Sequence, residues 1–212
     1  PGSLRSGFTN QTHYLAERGG FAYWSHQPNR RMGGVASSAN GLLSKFEPRE
    51  VVNHALPGRV RGRGVLLATF GNGADALSVA VAHLSLGAQS RRSQVDFIAE
   101  LLGDHPHAVL MGDFNCDPDR PEMQALYRHT RLQPPATCVP TFPSWKPRRA
   151  KTDRSSLPSP DTRTVDGWRI VPANVASTRQ PPSSAITAMR LMAPSNGRSG
   201  SASICTTARW PT

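Results

Sequence analysis

The chain has 212 residues, the size of one domain and enough to bury a sizeable core. Its formal net charge of +11 is typical of nucleic-acid-binding proteins, but residues 140–212 carry most of it, with 11 basic and 3 acidic residues against 14 and 11 in residues 1–139. The three cysteines lack the spacing of zinc ligands, which argues against a disulfide framework or a zinc module and favours a reducing compartment such as the cytoplasm. No apolar run reaches the length of a membrane span.

The first 70 residues predict short strands and one helix. In chain order, the expected elements are a short helix at 14–18, strands at 21–24, 42–46 and 50–55, and a longer strand at 59–70, with residues 26–39 as a loop. Arg59, Arg61 and Arg63 alternate at the start of the last strand. They would line a phosphate groove or form a solvated edge.

Residues 71–127 predict a hairpin followed by a helix, a buried strand and a second helix. The Asn72-Gly73 pair indicates a hairpin turn, so the strands on either side of it should pair antiparallel. A helix is expected at 90–102, with Ser90 as its cap, then a buried strand at 108–114 and a helix that begins at Pro121. This order of elements indicates an α/β (α+β) fold.

The periodic pattern is lost after about residue 146. We therefore divide the chain into a partial domain at 1–145, a poorly matching continuation at 146–176, and a tail at 177–212 rich in Ser, Thr, Arg, Pro and Ala. Within 146–212, only residues 168–171 have the pattern of a strand. A disordered basic tail and a segment translated out of frame both explain this composition, and the coding DNA would distinguish them.

The most informative segment is the strand that ends in Gly112-Asp113-Phe114-Asn115. In an extended chain, Asp113 and Asn115 point to the same face while Phe114 points into the core. A carboxylate orients an attacking water or holds a hard cation, and an amide fixes a phosphate oxygen. The alternative is that both are turn residues at a plain strand end.

A histidine ends the hairpin's return strand, and polar residues begin the following helix. His83 would donate a hydrogen bond to a phosphate oxygen, or be a structural, partly buried histidine. Arg91, Arg92 and Gln94 would steer a phosphate, cap the helix or form its solvated face.

Together these segments resemble the endonuclease/exonuclease/phosphatase superfamily. The matching segments, in the order of the family, are Asn40-Gly41-Leu42-Leu43-Ser44-Lys45, Val81-Ala82-His83-Leu84, Arg92 with Gln94, and Gly112-Asp113-Phe114-Asn115 followed by Pro118, Pro121 and Glu122. The resemblance covers roughly residues 15–145. It implies a four-layer sandwich, in which two packed and mostly antiparallel sheets are flanked by helices, incomplete in this chain.

The resemblance also implies divalent-metal-dependent hydrolysis of a phosphate ester, with Mg²⁺ or Mn²⁺ as cofactor. Asp113 and Asn115 would orient the attacking water, and His83 would stabilise the phosphoryl transition state. Asn40 and Arg92 would bind the substrate, which would be a nucleic acid, a phospholipid or a small molecule. We expect a monomer.

The sequence departs from the family pattern at both ends. The glutamate expected as the main metal ligand is absent, so the metal ligands stay unknown. The closing Ser-Asp-His motif is also absent, since no histidine follows His129. Two alternatives therefore stand beside the enzyme: an inactive remnant or binding protein of the same fold with a basic tail, and a nucleic-acid-binding module carried by the tail.

Overall fold

The computed structural model describes residues 9–32, 35–59, 61–130 and 132–133, and five strands between residues 164 and 206. Three α-helices are described, α1 (Gln11–Gly19), α2 (Ala88–Leu102) and α3 (Pro121–His129), and a 3₁₀ helix spans Gly73–Asp75. The strands are β1 (Tyr23–Met32), β2 (Val35–Ser44), β3 (Glu50–Ala55), β4 (Gly64–Phe70), β5 (Leu77–His83), β6 (His107–Asp113), β7 (Thr164–Val165), β8 (Trp168–Pro172), β9 (Asn174–Ser177), β10 (Ile186–Met192) and β11 (Ser201–Thr206).

The strands form two sheets. The six-stranded sheet has the order β1-β2-β10-β11-β8-β7, and the five-stranded sheet has the order β3-β4-β5-β6-β9. Most neighbours are antiparallel, while two pairs run parallel: β8 with β11, and β5 with β6. Helix α2 lies between β5 and β6 in the chain. None of the helices in the described part of the chain is long and apolar enough to cross a membrane.

Two apolar clusters hold the layers together, because β4 and β5 are buried on both faces. Leu66 and Val81 belong to a cluster that also contains Leu42 of β2 and therefore joins the two sheets. Leu67 and Ala82 face the other way, into a cluster with the apolar sides of α2 and α3. Helix α1 packs on β1 and β2. The predicted fold class, a sandwich of two mostly antiparallel sheets with helices, is confirmed.

The prediction of a loop at 26–39 is wrong, because β1 and β2 form a long antiparallel hairpin there. The inward side chains Gln27, Asn29 and Asn40 are polar, so the strands lack the apolar alternation that normally identifies them. Hydrogen bonds among them offset part of the cost of burial: the Asn29 Nδ2 donates to the Asn40 Oδ1 at 3.0 Å, and the Asn40 Nδ2 donates to the Gln27 Oε1 at 3.1 Å.

Other boundaries also differ from the prediction. Strand β4 begins at Gly64, so Arg59, Arg61 and Arg63 belong to the connection before it and not to a strand face. Helix α2 begins after Gly87, and the predicted cap Ser90 lies inside it. The antiparallel hairpin of β4 and β5 and the start of α3 at Pro121 are confirmed. The Asn72-Gly73 pair does not make a tight turn by itself, because Asn72 is extended and a 3₁₀ helix at Gly73–Asp75 forms the connection.

The proposed division at residues 145 and 176 stays a prediction. Most of residues 134–212 lie outside the described part of the chain. The predicted strand at 168–171 is found as β8. The backbone also forms β10 and β11 within the predicted tail, where the sequence indicated no periodicity.

Candidate functional site

His83 and Asp113 end neighbouring parallel strands and lie opposite each other in the register of β5 and β6. The His83 Nε2 is 4.0 Å from the Asp113 Oδ2, and the two side chains are 6% and 11% exposed. Each continues the row of side chains that packs between the sheets, His83 after Val81 and Asp113 after Met111. The pair therefore stands at one end of the cleft between the two sheets.

Asn115 joins this pair through a turn and not through the strand alternation that the sequence predicted. Strand β6 ends at Asp113, and Asn115 has a left-handed backbone with φ of 52°. Its backbone N–H donates to the Asp113 Oδ1 at 3.0 Å, and its Nδ2 donates to the Leu84 carbonyl oxygen at 2.7 Å. The turn thus fixes the Asp113 carboxylate and ties Asn115 to the residue after His83.

Gly112 allows β5 and β6 to approach closely just before the site. Its φ is 139°, and a Cβ atom there would lie 1.8 Å from the carbonyl oxygen of its register partner Ala82. A side chain does not fit at this position. The backbone of the neighbouring strand thus occupies the space that a side chain would need.

The segment that follows His83 is held by Gln94 of α2. The Ser85 backbone N–H donates to the Gln94 Oε1 at 2.8 Å, and the Gln94 Nε2 donates to the Ser85 Oγ at 3.0 Å and to the Pro57 carbonyl oxygen at 2.9 Å. Gln94 is fully buried. One amide therefore links the connection after β5 to the connection between β3 and β4.

Arg91 holds the same segment from α2 and is itself held by α3. Its Nε donates to the Glu122 Oε1 at 2.8 Å, and its Nη2 lies 2.7 Å from the same oxygen. Its Nη1 donates to the carbonyl oxygens of Ser85 and Leu86. Both charged side chains are 7% exposed, so this is a buried ion pair with its hydrogen bonds satisfied.

Two ionisable groups near the site have shifted pKa values. Burial raises the pKa of the Glu122 carboxyl. Hydrogen bonds from its own backbone N–H and from Arg91, together with the charges of Arg91 and Arg120, lower the pKa by more than burial raises it. The net result is a pKa below the ordinary value. Burial raises the pKa of the Cys116 thiol to about 12, so this cysteine stays protonated at neutral pH.

The two predicted substrate-binding residues lie in very different surroundings. Asn40 is 1% exposed, and its Nδ2 donates across the cleft to the carbonyl oxygens of Gly64 at 2.9 Å and Val81 at 3.1 Å. Arg92 is exposed on the first turns of α2. These contacts make Asn40 a link between the two sheets, while Arg92 is open to solvent.

The model of the Endonuclease/Exonuclease/phosphatase family matches residues 5–183 of the chain. The chain belongs to this family. No curated protein sequence matches the chain significantly. The match includes the segments with His83, Asp113 and Asn115, so these residues lie within the part of the chain that the family describes.

Solved structures of this fold resemble the chain at low sequence identity. The human Nocturnin catalytic domain with bound sulfate is 13% identical, with a TM-score of 0.52 over 87% of this chain and 69% of that one. A functionally unknown conserved protein from Enterococcus faecalis is 17% identical, with a TM-score of 0.45 over 58% of this chain and 56% of that one. The mannosyl-6-phosphatase Bt3783 from Bacteroides thetaiotaomicron is 17% identical, with a TM-score of 0.43 over 57% and 54%. The chain matches about half the length of several such structures.

The family resemblance implies a divalent cation, and Asp113 would offer it a carboxylate at this end of the cleft. Mg²⁺ is held by oxygen ligands, usually one or two carboxylates with water and substrate phosphate. Among the residues whose positions are described, no group of three His, Cys, Asp or Glu side chains is close enough to hold a metal. At this end of the cleft, the carboxylate of Asp113 lies beside the imidazole of His83 and is hydrogen-bonded by the backbone of Asn115.

The family pattern indicated Arg92 as a substrate contact, whereas in the structure the adjacent Arg91 is buried and forms an ion pair with Glu122. A helical period does identify Arg91, because it shares a face with Gln94, Val95 and Ile98, all of which are buried. Its partner Glu122 comes from α3, 31 residues later, and no local pattern indicates such a pairing.

Proposed function

We propose that the chain hydrolyses a phosphate ester at His83, Asp113 and Asn115. The observation that carries the proposal is the meeting of an imidazole and a carboxylate, 4.0 Å apart, at the end of the cleft in a chain of this family. In the proposed reaction, a water oxygen attacks phosphorus and its proton passes to the Asp113 carboxylate. The ester P–O bond breaks, and the leaving oxygen takes a proton from solvent.

Each side chain has a distinct role in this proposal. Asp113 orients and deprotonates the water, and the hydrogen bond from the Asn115 backbone N–H keeps the carboxylate in place. Asn115 positions the water and the phosphoryl group. His83 donates to a phosphoryl oxygen as its negative charge grows, and its burial strengthens that interaction.

Arg92 is proposed as a phosphate contact because it is exposed on α2. A substrate-binding role for Asn40 stays a prediction, while its contacts with Gly64 and Val81 support a structural role. A requirement for Mg²⁺ or Mn²⁺ is a separate proposal from the resemblance. Activity before and after chelation, followed by addition of either ion, tests it.

The proposal is tested by hydrolysis of bis(p-nitrophenyl) phosphate. Asp113→Asn and His83→Gln should each lower kcat by roughly 10²- to 10⁴-fold, the usual effect of losing an acid–base or charge-stabilising group. Asp104→Asn is the matched control, because Asp104 is exposed in the turn before β6, at the end opposite Asp113. Equal activity of Asp113→Asn and the unmodified chain would reject the assignment.

A second candidate is a protein of the same fold that binds a phosphate-bearing partner without turnover. It is favoured by the lack, among the described residues, of a group of three His, Cys, Asp or Glu side chains that could hold a metal. Binding of the phosphate ester, with no product formed at any concentration of Mg²⁺ or Mn²⁺, would establish this candidate over the enzyme.

A further inference from the structure

The connection between β3 and β4, described at residues 56–59 and 61–63, lies at the same end of the sheet as the candidate site. Strand β4 follows this connection, and Val65 near its start pairs with Ala82, the neighbour of His83. The strands β4, β5 and β6 are consecutive in the sheet, and adjacent strands lie about 4.8 Å apart. The connection is therefore one strand away from His83 and two strands away from Asp113.

This connection is anchored against the elements that hold the site. The Leu56 N–H donates to the Arg63 carbonyl oxygen at 2.9 Å and closes the base of the connection. Gln94 donates to the Pro57 carbonyl oxygen, and also holds Ser85, two residues after His83. Gly58, with φ of 141°, packs so closely on Gln94 that a Cβ atom there would lie 3.3 Å from its Nε2.

The connection is strongly basic. Arg59 and Arg61 are exposed, and Arg63 is half-buried. No acidic residue occurs in the sequence between Glu50 and Asp75. Arg61 lies four residues before Val65, so two exposed arginines belong to an anchored connection at the edge of the sheet that also carries His83. Such an arrangement attracts anions and suits bidentate contact with phosphate.

We propose that Arg59 and Arg61 bind a second phosphate group of the substrate, beside the ester that His83, Asp113 and Asn115 hydrolyse. This inference rests on the proposed function and narrows its substrate to molecules that carry at least two phosphate groups. A nucleic-acid strand and a small bisphosphate share this chemistry.

The test compares substrates that differ by one phosphate. One pair is the dinucleotide TpT and its 5′-phosphorylated form pTpT, and the other is fructose 6-phosphate and fructose 1,6-bisphosphate. The unmodified chain should show a higher kcat/KM for the second member of one pair, and that pair identifies the source of the phosphate. Arg59→Gln/Arg61→Gln should reduce this preference by roughly two- to fivefold for each arginine, the usual effect of an exposed ion contact.

Arg49→Gln is the matched control, since Arg49 is an exposed arginine at the opposite end of the same sheet. The backbone N–H of Arg49 donates to the Thr69 carbonyl oxygen there. This variant should keep the preference of the unmodified chain. The proposal is overturned if neither pair shows a preference in kcat/KM or in binding, or if the double variant keeps that preference.

Binding measured by calorimetry in EDTA separates this proposal from the proposed function. If no substrate is hydrolysed but pTpT or fructose 1,6-bisphosphate binds more tightly than its partner in an arginine-dependent way, the second-phosphate site stands and the hydrolysis proposal fails. If the substrates are hydrolysed but neither arginine affects the preference for a second phosphate, the hydrolysis proposal stands and the second-phosphate site fails.

Discussion

Removing the Glu122 carboxylate should destabilise the chain far more than an ordinary surface substitution. In Glu122→Ala, the Arg91 guanidinium loses its partner while it stays buried, with only 7% of its side chain exposed. Breaking a buried ion pair in this way costs about 3–5 kcal/mol. That is a large part of the 5–15 kcal/mol that typically stabilises a domain. Asp119→Ala, an exposed acid three residues earlier, should change the free energy of unfolding by less than about 0.5 kcal/mol.

A double variant separates the charge effect from lost packing. Arg91→Met should cost about as much as Glu122→Ala, because it leaves a buried carboxylate without its cation. Arg91→Met/Glu122→Met leaves no isolated charge, but the Ser85 and Leu86 carbonyl oxygens lose their donor, at about 1–3 kcal/mol for each buried acceptor. The double variant should therefore be more stable than the sum of the single variants predicts.

Urea unfolding followed by tryptophan fluorescence measures all three free energies. If the costs of the two single substitutions add in the double variant, the pair is not coupled and the reasoning fails.

Comparison with Glu122→Gln measures how the stabilisation by the Glu122 carboxylate depends on pH. Because the folded-state pKa of Glu122 is lowered, its stabilisation is fully present above the ordinary value of 4.5 and is lost as the pH falls through the folded-state pKa. The difference in stability between the unmodified chain and Glu122→Gln should shrink on acidification below pH 4.5.

Three further outcomes follow from the structure. Asn40→Ala should lower the free energy of unfolding by about 2–4 kcal/mol, because the buried carbonyl oxygens of Gly64 and Val81 on the facing sheet lose their donor. Asn53→Ala, at an exposed position of β3, should have little effect in the same urea titration. Gly112→Ala should abolish stable folding or lower the melting temperature by more than 10 °C in calorimetry, since its Cβ would collide with the Ala82 carbonyl oxygen; a variant as stable as the unmodified chain would contradict the described β5–β6 register. Cys116 should resist thiol alkylation at pH 8 in the folded chain and react once urea unfolds it, as followed by peptide mass spectrometry; rapid labelling without urea would contradict its burial and its pKa of about 12.

The sequence predicted those parts of the fold whose signals are local. Pro121 at the first turn of α3 and the turn signal between β4 and β5 each act within a few residues, and the helix and the hairpin are found where they were expected. The hairpin of β1 and β2 was missed because Gln27 and Asn40 point inward and are satisfied by each other. That pairing exists only after the strands come together, so no local pattern reveals it.

The candidate site shows the same division. His83 and Asp113 were selected from short motifs, and the parallel register of β5 and β6 brings them together. The expectation that Asn115 continues the strand was wrong, because its left-handed backbone depends on the turn that follows β6. Arg91 and Glu122 form a contact between two helices, and although the helical period marks Arg91 as the inward arginine, no local pattern indicates its partner.

The parallel pairing of β5 and β6 has a consequence for how the site comes into being. His83 and Asp113 are 30 positions apart in the sequence, and two parallel strands meet only after the intervening chain has crossed from one end of the sheet to the other. Closing so long a loop costs entropy before any contact is gained. His83 and Asp113 therefore come together only when β5 and β6 pair. We therefore expect a chain still emerging from the ribosome to hold these groups apart until α2 has docked.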